Sequence, residues 1–309
     1  MTPSALFLQQ VINGLSLGAM YSLLALGFTL VYGILELINF SHFNVFMVGS
    51  FIAMWVLQFF GLSGQQVILT GWPLLGVLGA ALLITMLATG LLGVGIERFS
   101  LRPLRNVPGP VAMITTIGIS YILFNVILLT VGAETKNFPN PLPMVKWHVG
   151  GAVVELREVL IWAISLVLML LLQFFVQRSR LGKAMRATAQ DPEAARMMGV
   201  EVDRVVITAF FLGSALAGAG GMFFGLYYNF TSFLIGYTAG LRAFTAAVLG
   251  GIGSVPGAMV GGVMIGLIES LSGQYIAVRW SDVIIFSILV LILVFRPAGL
   301  FGRLAPTKS

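Results

Sequence analysis

Residues 205–241 read VVITAFFLGSALAGAGGMFFGLYYNFTSFLIGYTAGL, with Arg204 before them and Arg242 after them, and no charged side chain in between. A helix crossing a hydrocarbon core about 30 Å thick needs about 20 apolar residues. This run is therefore long enough to span a bilayer and to start the next element. Four other stretches, 1–35, 37–96, 106–133 and 243–268, are equally free of Asp, Glu, Lys and Arg. Hydrophobic residues fill 58% of the 309 positions and charged residues only 9%, whereas a soluble chain carries about a quarter charged. Mean hydropathy is +1.01. The alternation of a β-barrel does not occur, and an open sheet leaves its edge groups unsatisfied in lipid. The chain reads as an all-α, polytopic transmembrane helical bundle, one domain over 1–309, with the lipid bilayer as its solvent.

No Lys or Arg occurs within 1–35, so the charged leader of a cleavable signal peptide is missing and 6–31 reads as a retained first span. Cysteine is absent, which removes disulfides and thiolate metal sites. The net charge of +6 does not point to nucleic acid, because the basic residues cluster in connections between spans.

Spans are expected near 9–32, 43–60, 73–95, 110–131, 159–176, 205–228 and 283–295. The remaining stretch, 239–271, is too long for one helix and is interrupted at 250–257 by GGIGSVPG. Gly250, Gly251, Gly253 and Gly257 permit positive φ and Pro256 lacks a donor, so this octet predicts a helix break. Most of the 17 basic residues fall in three places: Arg98, Arg102 and Arg105; Arg178 through Arg204; and Arg296, Arg303 and Lys308. The positive-inside rule puts all three in the cytoplasm. The N-terminus then lies outside, in the periplasm, and the C-terminus inside. The segment 239–271 must cross twice, once briefly, or dip in and return, giving about eight spans with a broken or re-entrant element. The largest external loop is 132–157.

No catalytic constellation is present. Two histidines, His42 and His148, cannot build a His-rich metal centre. Gly182-Lys183 lacks the earlier glycine and the Ser/Thr of a phosphate-cradling loop, and Gly251-x-Gly253 follows an apolar helix rather than a strand. The sequence implies no cofactor, and any ATP chemistry belongs to another subunit. A charged residue at membrane depth costs about 2.5–3.5 kcal/mol on insertion scales and usually faces a partner or water. Candidate path residues are therefore Asn39, Ser41, His42 and Asn44 at the first polar interruption, Thr116 and Ser120 four apart on the fourth span, and Arg242 with Glu269 flanking the second. Glu36 reads as a wet residue at the end of the first span. Helix-to-helix bonding explains the hydroxyls as well as a pathway does.

Between the fifth and sixth spans, 178–204 forms a charged connection. Asp191-Pro192 places a capping acceptor before a proline at the first helical position. Gly199 closes the short helix that follows. Glu193-Ala194-Ala195, then three residues and Gly199, matches the loop by which importer permeases meet their ATPases. Arg186 and Arg196 are placed to pair with acidic groups of a partner, and Ala194 and Ala195 to seat in its groove.

The chain as a whole resembles the permease subunit of branched-chain amino acid ABC importers, the LivH type. GFTLVYG at 27–33, LINFSH at 37–42, RATAQDPEAARMMG at 186–199, AAVLGGIGSVPGA at 246–258 and FRPAGLFG at 295–302 carry the resemblance. It departs at Phe43, where this family commonly has glycine. The resemblance implies an inner-membrane importer containing a second, related permease, two ATP-binding subunits and a periplasmic binding protein that delivers the substrate. Related permeases serve urea and short amides, so the solute stays open between these and Leu, Ile or Val. A secondary transporter without ATPases is the other class, and it accounts for no docking helix.

Overall fold

The computed structural model describes residues 2–62, 68–104, 107 and 109–302; Arg105, Arg303 and Lys308 lie outside them. α1 (Pro3–Leu35), α2 (Ser41–Phe59), α3 (Gly71–Ile96), α4 (Gly109–Val131) and α5 (Leu156–Arg178) come first, with a π turn (Glu97–Leu101) and a 3-10 turn (Arg102–Leu104) after α3. Between α4 and α5 lie β1 (Lys136–Asn137), β2 (Lys146–Val149) and β3 (Ala152–Glu155). Next come two short helices, α6 (Arg180–Gln190) and α7 (Pro192–Met197), then the long α8 (Val202–Tyr228) and β4 (Phe230–Thr231). α9 (Ile235–Gly250), α10 (Val255–Ser272), a π turn (Gly273–Ala277) and α11 (Val278–Phe295) complete the order.

Seven segments among the described residues are long and apolar enough to cross a bilayer, one of them the joined 255–295 stretch. α9 falls short of that length. Its 16 residues rise about 24 Å, less than the core thickness. The stretch read as broken is thus two antiparallel helices joined by a turn at 251–254. A Cβ at Gly250 would meet Gly257 O at 2.0 Å, and one at Gly261 would meet Ala246 O at 2.1 Å.

Contacts at the two ends of the bundle sort the connections. At one end Gly33 lies against Gly253, Arg102 pairs with Asp203 at 2.5 Å, and Ile34 packs on Met185 and Val205. The tail returns to the same place, where Leu300 N donates to Leu249 O and Phe301 N to Gly250 O, both at 2.9 Å. At the other end Gln9 exchanges two hydrogen bonds with Val153, at 3.1 and 2.8 Å. There too β1 pairs with β4, and Ser270 Oγ donates to Gln10 O at 2.8 Å. The π turn after α3, the 178–204 connection and Arg296 therefore share one end. The 132–155 loop occupies the other.

α1 is the axis of the bundle. Thr2 caps it by accepting Ala5 N at 3.3 Å, and its 33 residues extend about 50 Å. Side chains from Leu17 to Leu30 are buried on every face, so along this length the helix has no solvent or lipid stripe. Close approach makes that possible. A Cβ at Gly18 would sit 2.6 Å from Val263 Cα, and one at Gly266 only 2.2 Å from Gly18 N, so α1 and α10 touch backbone to backbone. α8 approaches α2 in the same way at Gly218 and Gly221. By contrast α3, α4, α5 and α11 turn Leu87, Leu129, Phe174 and Val294 outward. Apolar faces of that extent are stable only against lipid or another subunit. α1 ends at Glu36, exposed and left-handed at φ 50°.

Candidate functional site

The charged connection is held rigidly from both sides. Ser179 Oγ accepts Gly182 N at 2.8 Å and caps α6. A Cβ at Gly182 would meet Val176 O at 2.3 Å, so α6 can fold back on the end of α5 only with glycine there. Arg186 donates to Val176 O, which ties α6 to α5 and turns this side chain to its own chain. Met185 anchors the apolar face of α6 on Val205 and Ala209. Asp191 Oδ1 accepts Glu193 N at 2.9 Å and Ala194 N at 3.0 Å, satisfying two orphan amides of α7. Gly199, at φ +82°, then reverses the chain so that Val200 N reaches Ala195 O at 3.0 Å.

What α7 presents differs from the reading of its sequence. Ala195 is 5% exposed and faces the chain's own interior, and Ala194 is half-buried. The outward groups are Glu193, Arg196, Met197 at 82% exposure and Met198 at 84%. A helix of 6 residues has too few turns for its apolar face to be read from spacing. Behind α7 a cavity of about 430 Å³ separates it from the end of α1 and the π turn, bordered by Leu35, Leu101, Glu193 and Arg196.

The first polar interruption bonds mostly to its own turn and to neighbouring helices, leaving Asn44 Oδ1 buried without a hydrogen-bond partner. Asn39 Oδ1 accepts Ser41 N at 3.1 Å and Ser41 Oγ at 2.5 Å, an Asx turn that opens α2. Phe40 N donates to Thr116 Oγ1 at 3.1 Å. Asn44 Nδ2 donates to Ser120 O and Ser120 Oγ, both at 2.7 Å, joining α2 to α4. His42 Nε2 lies 3.3 Å from Leu24 O, which assigns the ring proton to Nε2. The ring fills a notch left by Gly27, whose Cβ would come within 2.3 Å of it. Phe43 fills a second notch, over Gly240. None of Asn39, Ser41, His42, Asn44, Thr116 or Ser120 borders the cavities described here.

Arg242 and Glu269 do meet, but away from the helix break. Because α9 and α10 run antiparallel from the turn at 251–254, their partners at 242 and 269 lie toward the opposite end. Arg242 Nη1 donates to Glu269 Oε1 and, at 3.1 Å, to Tyr21 Oη. Tyr21 in turn donates to Glu269 Oε2 at 2.7 Å. Arg242 Nε and Nη2 reach Asp282 Oδ1 at 3.0 and 2.9 Å. One guanidinium thus ties α1, α9, α10 and α11 together. Tyr21 and Asp282 were missed from the sequence. Asp282 carried a signal, as an isolated carboxylate at the edge of the last apolar run.

At the break itself, Gly251 has φ +102° and Gly253 φ +88°. A Cβ at Gly251 would lie 2.3 Å from Gly302 N. Ser254 Oγ accepts Gly257 N at 3.2 Å, and Pro256 occupies the first turn of α10. The non-helical backbone is 251–254, narrower than the octet.

With seven segments long and apolar enough to cross a bilayer among the described residues and a capped, charged hairpin at one end, the chain is a helical membrane bundle. The chain belongs to the family described as the branched-chain amino acid transport system permease component, whose model matches residues 10–293. It is 40% identical over 304 residues to the high-affinity branched-chain amino acid transport system permease protein LivH of Escherichia coli K12, covering 96% of each chain. BraD of Pseudomonas aeruginosa, a permease protein of the same description, is 38% identical over 301 residues and 96% of each chain. A probable LivH of Methanocaldococcus jannaschii is 30% identical, over 91% of this chain and 88% of its own. No solved structure matches. As a permease component of an ABC system the chain works with other components of that system, and it is not itself the ATPase.

Proposed function

We propose that this protein is the inner-membrane permease subunit of an ATP-driven importer that carries branched-chain amino acids handed over by a periplasmic binding protein. It pairs with a second, related permease and with two ATP-binding subunits, and it contributes to the translocation path. The observation that carries this reading is the capped α6–α7 hairpin. A helix too short to be stable alone is clamped at Asp191 and Gly199 and offers Glu193, Arg196, Met197 and Met198 to a partner. Arg186 and Ala195 brace it from within. The relatives named as branched-chain amino acid permeases, similar over nearly the whole length, support the choice of solute. The complete complex in proteoliposomes, with binding protein outside and ATP inside, is expected to accumulate leucine. Omitting either the ATPases or ATP is expected to reduce uptake to the leak rate. Uptake that persists without ATPases would transfer the chain to the secondary transporters.

Orientation follows from charge. The end holding Arg98, Arg102, the 178–204 hairpin and Arg296 is cytoplasmic, and the 132–155 loop is periplasmic. The chain has no cysteine of its own, so single cysteines report cleanly. A membrane-impermeant maleimide added to intact spheroplasts is expected to label Asn140→Cys and to leave Ala187→Cys untouched until the membrane is opened. The reverse pattern would invert the topology.

A further inference from the structure

The end of the bundle opposite the hairpin holds two cavities with a common wall. The larger, about 850 Å³, has an apolar side that includes Met54, Leu62, Phe138 and Leu142. The smaller, about 570 Å³, is polar and bordered by Gln9, Asn13, Glu158 and Tyr228. Lys146, Glu155, Arg157 and Asn229 border both. Four separate elements, α1, the β2–β3 hairpin, the first turn of α5 and the last turn of α8, bring these groups together.

Two charged groups here have bonding capacity that the chain leaves unused. Glu158 is 4% exposed, and its Oε2 accepts Glu155 N at 3.0 Å as part of the capping box of α5. Its Oε1 accepts no hydrogen bond from any described residue. Arg157 Nη1 donates to Tyr227 O at 3.0 Å, and its guanidinium sits 5.5 Å from the centre of the Tyr227 ring; its Nε lies 2.8 Å from Glu155 Oε2 as an ion pair but makes no hydrogen bond. Its Nη2 donates to no described residue. Holding down the outer loop accounts for Glu155, which also pairs with Lys146 at 3.1 Å. It does not account for Arg157 Nε, which is buried without a hydrogen-bond partner, although buried polar atoms ordinarily find one, nor for the placing of Arg157 and Glu158 together on the wall of the polar cavity.

We infer that this wall is an outer station for the head group of a zwitterion, with the solute's carboxylate on Arg157 and its ammonium on Glu158. The apolar side chain of the solute extends past Asn229 into the larger cavity, toward Phe138 and Leu142. This inference rests on the amino-acid reading above and adds where and how the solute is held. A guanidinium offers planar, paired donors that match a carboxylate, and the carboxylate at the next position supplies the opposite charge. A few placed polar groups beside an apolar wall is the usual make-up of a small-molecule site. An uncharged amide such as urea could hydrogen-bond to either group but has no charge to pair with them and no apolar side chain for the larger cavity.

The test is protection from alkylation. Asn13→Cys places the chain's only thiol in the polar cavity, and the purified complete complex is treated with N-ethylmaleimide. Leucine at about nine times its half-protecting concentration is expected to slow labelling about tenfold, by mass action at a single site. At equal concentration leucine methyl ester, 4-methylpentanoate and urea are expected to leave the rate unchanged. Adding Arg157→Gln or Glu158→Gln abolishes protection by leucine, and Arg157→Lys restores part of it. Glu158→Gln retains an acceptor for the capping box, so an unaltered labelling rate without ligand verifies that α5 still starts correctly. Equal protection by the methyl ester or by 4-methylpentanoate overturns the inference, as does full leucine protection in both glutamine variants. Leucine uptake by the same preparation without any protection removes the station and leaves the transport function standing. Failure of leucine uptake removes that function itself.

Discussion

On the proposed reading, replacing Met197 and Met198 together with aspartate is expected to abolish co-purification of the ATPase subunits and, with it, ATP-dependent uptake, while the permease still inserts and meets its permease partner. Both side chains are more than four-fifths exposed in the chain alone, so the substitution removes nothing from its own core. Burying a methionine side chain at an interface contributes about 1.5–3 kcal/mol. Losing two, and placing carboxylates at the proposed contact instead, is expected to lower affinity by at least about a hundredfold at 1.4 kcal/mol per factor of ten. Methionine is flexible and polarisable enough to fit a groove that changes shape during a cycle, so Met→Leu at both positions keeps most of the contact. ATPases that co-purify with the double aspartate variant at the parental level would place the contact elsewhere on the hairpin.

The second large effect is on stability. Arg242→Leu leaves the carboxylates of Glu269 and Asp282 without their shared cation, and the Arg242 and Glu269 side chains are only 19% and 13% exposed. Removing one partner of a buried ion pair costs about 3–5 kcal/mol, enough to collapse the yield of folded permease and to lower its unfolding temperature in detergent. Combining it with Glu269→Gln removes one orphaned charge and preserves an acceptor for the Tyr21 hydroxyl. Part of the lost stability is expected to return. A single Arg242→Leu variant as stable as the parent would mean that the four helices are held by packing alone.

The architecture was legible where it depends on lipid. Charge-free runs located the spans, clustered Arg and Lys grouped three connections at one end, and GGIGSVPG marked the place where a continuous helix fails. Burial was less legible. α1 at the centre and α4 at the periphery are both apolar around their circumference, and no periodicity separates a helix that faces protein from one that faces lipid. The charged hairpin could be found through Asp191-Pro192 and Gly199, because caps are local chemistry. Which side of α7 looks outward could not. A substitution such as Ala195→Trp would spoil the chain's own packing before it met a partner. Arg242 and Glu269 stood out as charges in apolar surroundings, yet the Tyr21 and Asp282 bonds depend on how four helices are rotated against one another. Arg157 and Glu158 were hidden in an ordinary helix start, and only the fold brings Tyr227, Gln9 and Asn13 around them.

The return of the tail to the start of the 251–254 turn has a mechanical consequence. Leu300 and Phe301 donate to the last carbonyls of α9, and Gly299 and Gly302 press on Gly251. Those carbonyls would otherwise stand open at a helix end. Two backbone bonds of about 0.5–1.5 kcal/mol net each make a clasp worth about 1–3 kcal/mol, the size of a typical coupling energy between sites. The chain just beyond α11 is thereby tied to the turn between α9 and α10, so α11 shares a fixed point with both.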